Sequence, residues 1–106
     1  MSRQRYDNCR VLKIIDGHTV EVAVDLGFGI TTNQVINLLG YKAAETWTVE
    51  GQIALSQLSA LCLGAEVILD MVKVKGKMFG ILERKTDHLH IHDEMIRLDC
   101  ADKVYL

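Results

Sequence analysis

The chain has no proline, and no linker, repeat or low-complexity tract interrupts its 106 residues. One domain spanning residues 1–106 is expected, because domains most often run about 100–150 residues. Cysteine is scarce. Cys9, Cys62 and Cys100 lie far apart and form no CxxC motif, and an odd count does not suit a closed disulfide framework. Reduced thiols and a cytoplasmic location are the expectation. Charge of one sign is lacking too: the formal net charge is −2 and the isoelectric point near 6.0, which excludes a globally basic nucleic-acid binder and leaves room only for a local basic patch. No apolar run approaches the ~20 residues that span a bilayer. The charged N-terminus, Met1 to Asp7, leads into no apolar stretch of signal-peptide length. Neither membrane insertion nor export is expected. What remains, 49% hydrophobic and 25% charged, is the composition of a folded globular domain and not of a disordered one.

The first half reads as strands. Cys9 to Ile15 is apolar and β-branched, and Asp16-Gly17 punctuates it as a turn. Thr19 to Leu26 alternates, with Val20, Val22 and Val24 on one face and Glu21, Ala23 and Asp25 on the other. Gly27-Phe28-Gly29 marks a second turn or a bulge, and Ile30 to Leu39 is a third strand. From Val49 to Leu63 the period changes. Ile53, Ala54, Leu58, Leu61 and Cys62, widened by Leu55, form one apolar stripe of an amphipathic helix, with Thr46 or Thr48 as its cap and Gly64 as its stop. Ala65 to Val74 and Met78 to Glu83 return to strand, with Lys75-Gly76-Lys77 as the turn between them. Leu89 to His92 reads as a short strand. Asp93 to about Ala101 reads as a final helix with carboxylates at its positive end. Phe28 and Phe79 are assigned to the core. The expected fold is mainly β with helices (α+β): a five-stranded Greek-key barrel of the OB type, with one central helix and a short C-terminal helix.

These segments resemble the thermonuclease (staphylococcal-nuclease-like) family. Val11 to Val22, with Asp16-Gly17-His18-Thr19 inside it, resembles the family's apolar strand followed by Asp-Gly-Asp-Thr. Leu38 to Glu45 resembles its Leu-Leu-Gly-Ile-Asp/Asn-Ala-Pro-Glu segment. Gly51 and Ala54, Gly76-Lys77, Gly80-Ile81-Leu82 and Ile91 to Arg97 fall in the family's order, so that the likeness runs from about Cys9 to Ala101. Val24 to Ile30 is similar to a segment of short bacterial and phage members. That similarity implies a phage or prophage origin and a role modulating a host nucleic-acid or defence enzyme.

The resemblance implies an OB barrel and a calcium-dependent phosphodiesterase. In such a site hard carboxylates hold the ion, a glutamate handles water, and two arginines clamp the phosphoryl group. Most of those positions differ here. The second acid of Asp-Gly-Asp-Thr is His18, a poor calcium ligand and a better one for zinc or nickel. The next carboxylate is Lys42, whose ammonium repels a cation. The first arginine is Asn37, and the second falls at Lys77 or Gly80. Only Asp16 and the presumed base Glu45 persist, with Ala44 in place of proline. Loss of one preorganised donor costs about 10²–10³ in rate. Conventional nuclease activity is therefore not expected, nor is a calcium cofactor. Asp16 serves either the turn or a metal, His18 either the turn or a metal, and Glu45 either the loop or catalysis. Lys42 is in a position to pair with Asp16 or Glu45.

Three further groups stand out. His88, His90 and His92 alternate, so on a strand they would share a face beside Asp93; they suit an exposed polar face, a transition metal such as zinc, nickel or iron(II), or a pH-sensitive partner surface. Lys73, Lys75 and Lys77, with Arg84 and Lys85, form the only basic cluster and would track phosphates if they lined one face. Trp47, between two threonines, is the candidate exposed anchor. The reading that combines these is a thermonuclease-like barrel that has lost catalysis and works by binding a protein partner or a second copy of itself. The alternatives are a nucleic-acid binder without cleavage, and a residual or transition-metal nuclease built on Asp16, His18 and Glu45.

Overall fold

In a computed structural model the described residues are 3–39, 41–98 and 102–103, with only the backbone described at 41, 42, 102 and 103. The element order is β1 (Arg3–Asp16), β2 (Thr19–Gly27), β3 (Ile30–Leu38), β4 (Tyr41–Lys42), α1 (Val49–Cys62), β5 (Glu66–Val74), β6 (Lys77–Arg84), β7 (Leu89–His90), α2 (Ile91–Arg97) and β8 (Asp102–Lys103). β1, β2 and β3 form an antiparallel meander, β5 pairs with the other edge of β1, and β6 pairs with β5. A short parallel contact between β3 and β6, Asn37 with Phe79 and Leu38 with Gly80, closes the sheet into a five-stranded barrel. This is the OB-like α+β architecture expected from the element order. No helix among the described residues is long and apolar enough to cross a membrane.

β1 is longer than its apolar stretch indicates. Arg3 to Tyr6 pair with β5, Cys9 and Arg10 with both β5 and β2, and Val11 to Asp16 with β2. Register shifts between Tyr6 and Cys9, Val11 and Lys13, and Ile14 and Asp16 bend the strand so that it serves both neighbours. The inward side chains pack the barrel: Val11, Val20, Val22, Ile36, Val67 and Leu69 are wholly buried, and α1 covers one end with Ala54, Leu58 and Cys62. At that end Gly17, in the β1–β2 turn, lies so close to the helix layer that a Cβ would stand 2.5 Å from Ala43 Cβ and 2.9 Å from Ala54 Cβ.

Thr48 caps α1. Its hydroxyl accepts from the Gly51 amide at 2.9 Å and donates to the Glu45 carbonyl at 2.7 Å. Gly64, at φ 76°, ends it as expected, and its amide donates to the Val11 carbonyl.

Four expectations are corrected. Ile53 does not belong to the buried stripe of α1, which is Gly51, Ala54, Leu58 and Cys62; Ile53 faces outward. Phe28 is fully exposed at φ 55° on the tip of the β2–β3 hairpin, where Gly27 and Ile30 pair around a two-residue loop. Phe79 is half-buried and outside the core. α2 begins at Ile91, two residues early, because this places both Ile91 and Met95, one turn apart, in the core. The strand before it therefore ends at His90.

Candidate functional site

Of the positions that the sequence resemblance singles out, Asp16, His18, Asn37 and Glu45 gather at the α1 end of the barrel. Asp16 closes β1, and its Oδ1 accepts from the His18 amide at 2.9 Å, an Asx-type turn; the His18 ring Nδ1 stands 3.4 Å from the same oxygen. The His18 carbonyl accepts from the Leu38 amide, which brings the turn against the end of β3. Asn37, one residue earlier, donates from Nδ2 to the Met78 carbonyl at 3.1 Å, so its carboxamide ties β3 to β6. The Ala43 side chain packs over Gly17 and carries the 43–45 segment to the same place. There Glu45 is exposed, and its carbonyl holds Thr48. The Lys42 side chain, and with it the ion pair anticipated for it, lies outside the described residues. Lys77 opens β6, two residues before Phe79, the partner of Asn37 in register.

Asp16, His18, Asn37 and the Glu45 segment are thus neighbours; an Asp16 oxygen and the Asn37 amide are engaged in holding the fold, whereas His18 Nδ1 is buried without a hydrogen-bond partner and the Glu45 side chain is exposed. Among the described residues no group of three or more His, Cys, Asp or Glu side chains is placed to hold a metal ion. An imidazole, a carboxamide, one turn-bonded carboxylate and the exposed Glu45 carboxylate fall short of calcium, which takes six to eight oxygen ligands. No reaction step is assigned to this site.

The histidines do not form one strand face. His88 sits in the loop after β6 at φ 58°, His90 ends β7, and His92 is in the first turn of α2. Glu83 gathers two of them: His88 Nδ1 is 2.8 Å from Oε2 and His90 Nε2 is 3.6 Å from Oε1. The His88 hydrogen bond, helped by the charges of His90 and Arg5, holds the Glu83 carboxyl below its usual range. The His92 ring meets His90 edge-on at 5.9 Å and reaches Asp93 at 3.3 Å.

The basic cluster is also divided. Lys75 and Gly76, both at positive φ, form the two-residue turn of the β5–β6 hairpin. Lys73 lies opposite Met78 and Lys77 lies opposite Val74, so Lys73 and Lys77 are on opposite faces of the ribbon. Arg84 and Lys85 are at the far end of β6. Arg84 is committed to Asp87 and to the Leu61 carbonyl, and Lys85 to Asn8. The five residues form no single phosphate track.

The least expected feature is the outer face of α1. Trp47 is 82% exposed, Val49 72%, Ile53 50% and Leu63 52%, with Ser56 and Ala60 exposed between them. Positions 49, 53, 56, 60 and 63 recur at four and three residues, the spacing of a helix–helix seam. Glu50 is the only charged residue of the helix. The sequence does carry a signal for this: a helix whose apolar residues fall on two faces, with one charge in fourteen residues, cannot bury all of them against one barrel.

No protein-family model matches the chain, and no curated protein matches it.

Proposed function

We propose that this chain is a non-catalytic binding module of thermonuclease-like build, and that it works by protein contact through the outer face of α1, occupied by a second copy of the chain. The observation that carries this reading is the exposed stripe Val49, Ile53, Ser56, Ala60, Leu63, led by Trp47. The stripe is complementary to itself. Two copies laid antiparallel about Ser56 set Ile53 against Ala60 and Val49 against Leu63, large side chains facing small or flexible ones. The positive end of each helix meets the negative end of its partner. Glu50 of one copy arrives where Arg10, bonded to the Gly64 carbonyl and to Glu66, flanks the end of the other helix.

The stripe spans about 21 Å at 1.5 Å per residue. That is a small interface, and it calls for a weak dimer, with a dissociation constant on the order of 10 µM. Sedimentation equilibrium tests it. The chain dimerises in that range, and Ile53→Asp weakens the dimer at least tenfold while the circular dichroism spectrum is retained. A chain that stays monomeric at concentrations well above this range, or a dimer indifferent to Ile53→Asp, overturns the proposal. Incubation of labelled DNA and RNA with calcium is expected to yield no cleavage; cleavage lost in Glu45→Gln would contradict the non-catalytic reading.

A further inference from the structure

The end of the barrel away from α1 is open. A cavity of about 420 Å³ enters it, lined by residues of β1, β2, β3, β5 and β6. Elsewhere inside the barrel the inward positions are aliphatic and close-packed, as small barrels require. At this mouth the rule changes. Val24, Leu26, Met71 and Met78 make apolar walls, while the inward positions beside them are Gln4, Tyr6, Thr32, Gln34 and Lys73. A fold that departs from its own pattern at one place tends to do so for function.

The wall carries both donors and acceptors, Gln34 Oε1 among the latter, and its one charge, the Lys73 ammonium, decides for an anion. Tyr6 donates to Gln4 Oε1 at 2.6 Å, which leaves the Gln4 amide NH₂ as donor. Thr32 accepts from Gln34 at 2.9 Å, which leaves its own hydroxyl proton to donate. Lys73 is the only charged lining residue and has no ion pair among the described residues. Tyr6 is the only aromatic lining residue, so a planar base would find no ring on a second wall. Methionine walls instead adapt to a flexible aliphatic chain. The volume lies within the range of small-molecule sites.

We infer that the barrel mouth binds a small amphiphile with an unbranched apolar body and a single anionic head, the body between Val24, Leu26, Met71 and Met78 and the head at Lys73. This site is at the opposite end from α1, so it stands or falls independently of dimerisation.

The probe is decanoate, with decanol as the uncharged control, followed by calorimetry and by backbone amide shifts. Decanoate saturates below its micellar concentration and moves the amides of residues 24–26, 32–34, 71–73 and 78. Lys73→Met, an exposed position, lowers decanoate affinity roughly tenfold, to the level of decanol, and leaves decanol binding unchanged. Met78→Phe, which narrows the cavity, weakens both. No saturable binding, shifts confined to residues 47–63, or a Lys73→Met variant that still prefers decanoate to decanol would each overturn the inference.

Discussion

Replacing Gly80 by alanine tests how the barrel closes. Gly80 is in β6 at the point where that strand meets β5 on one side and β3 on the other. A methyl group there would stand 2.8 Å from Leu69 Cδ1, 3.0 Å from the Asp70 carbonyl oxygen and 3.1 Å from Ile36 Cγ2. Leu69 and Ile36 are wholly buried, and the Asp70 carbonyl belongs to the neighbouring strand, so none of the three can yield cheaply. The strand must shift, and what holds it to β3 is little: two residue pairs, the Leu39 amide on the Gly80 carbonyl at 2.9 Å, and the Asn37 side chain on the Met78 carbonyl. Overpacking of this kind costs about 1–3 kcal/mol. Gly80 is not among the positive-φ glycines, so alanine is conformationally allowed and recovers about 0.4–1 kcal/mol by restricting the unfolded chain. The net expectation is a loss of roughly 1–2 kcal/mol, which for a chain of this size lowers Tm by about 4–16 °C. Urea denaturation gives the first quantity. A thermal melt gives the second, and amide hydrogen exchange at Leu39 locates the damage: protection there should fall more than in β1 or β2. A variant as stable as the parent, with Leu39 protection intact, would refute this account of closure.

Thr48→Ala removes the cap of α1 and should cost about 1 kcal/mol by urea denaturation, with no change in the unfolding slope. Phe28→Asn should be neutral or stabilising, by about 0.5–1 kcal/mol, because a fully exposed bulky residue at φ 55° loses no packing and asparagine tolerates the left-handed region. The Arg84 guanidinium holds the Asp87 carboxyl down at about 2, from an ordinary value of 3.8. A carboxyl lowered in the folded state adds stability above its unfolded value, and that contribution drains away as pH falls from about 3.8 towards 2. Carbon-detected titration should find the Asp87 midpoint near the low end of that window, and Arg84→Met should return it towards the ordinary range.

The barrel was legible because its strands carry clear signals. Val20, Val22 and Val24 alternate, Lys75-Gly76 is a hairpin turn in both pattern and geometry, and Gly64 stops the helix where its period ends. The first residues of β1 were hidden because outward Arg3 and Arg5 alternate with Gln4 and Tyr6, whose inward faces line a cavity and not a packed core. The site residues divide in the same way. Asp16, His18 and Asn37 do come together, but spacing could not tell that an Asp16 oxygen is spent on the turn and the Asn37 amide on a strand tie. The alternation of His88, His90 and His92 suggested one face, and burial of Ile91 with Met95 overrode it by starting α2 early. The stripe spacing at Ile53 admits two faces, and only packing decides which of them meets the barrel.

The central claim, an antiparallel pair of α1 helices centred on Ser56, is tested most directly by disulfide trapping. Ser56→Cys places a thiol at the symmetry centre, whereas Val49→Cys places it opposite Leu63 of the partner. The native Cys9 and Cys62 are buried, and burial pushes their thiols up to about 11 and about 12, which keeps them out of the exchange; the third cysteine, Cys100, is replaced in both variants by Cys100→Ser. Under mild oxidation Ser56→Cys should cross-link rapidly into a covalent dimer and Val49→Cys should not. Equal cross-linking of both, or of Val49→Cys alone, would contradict the arrangement.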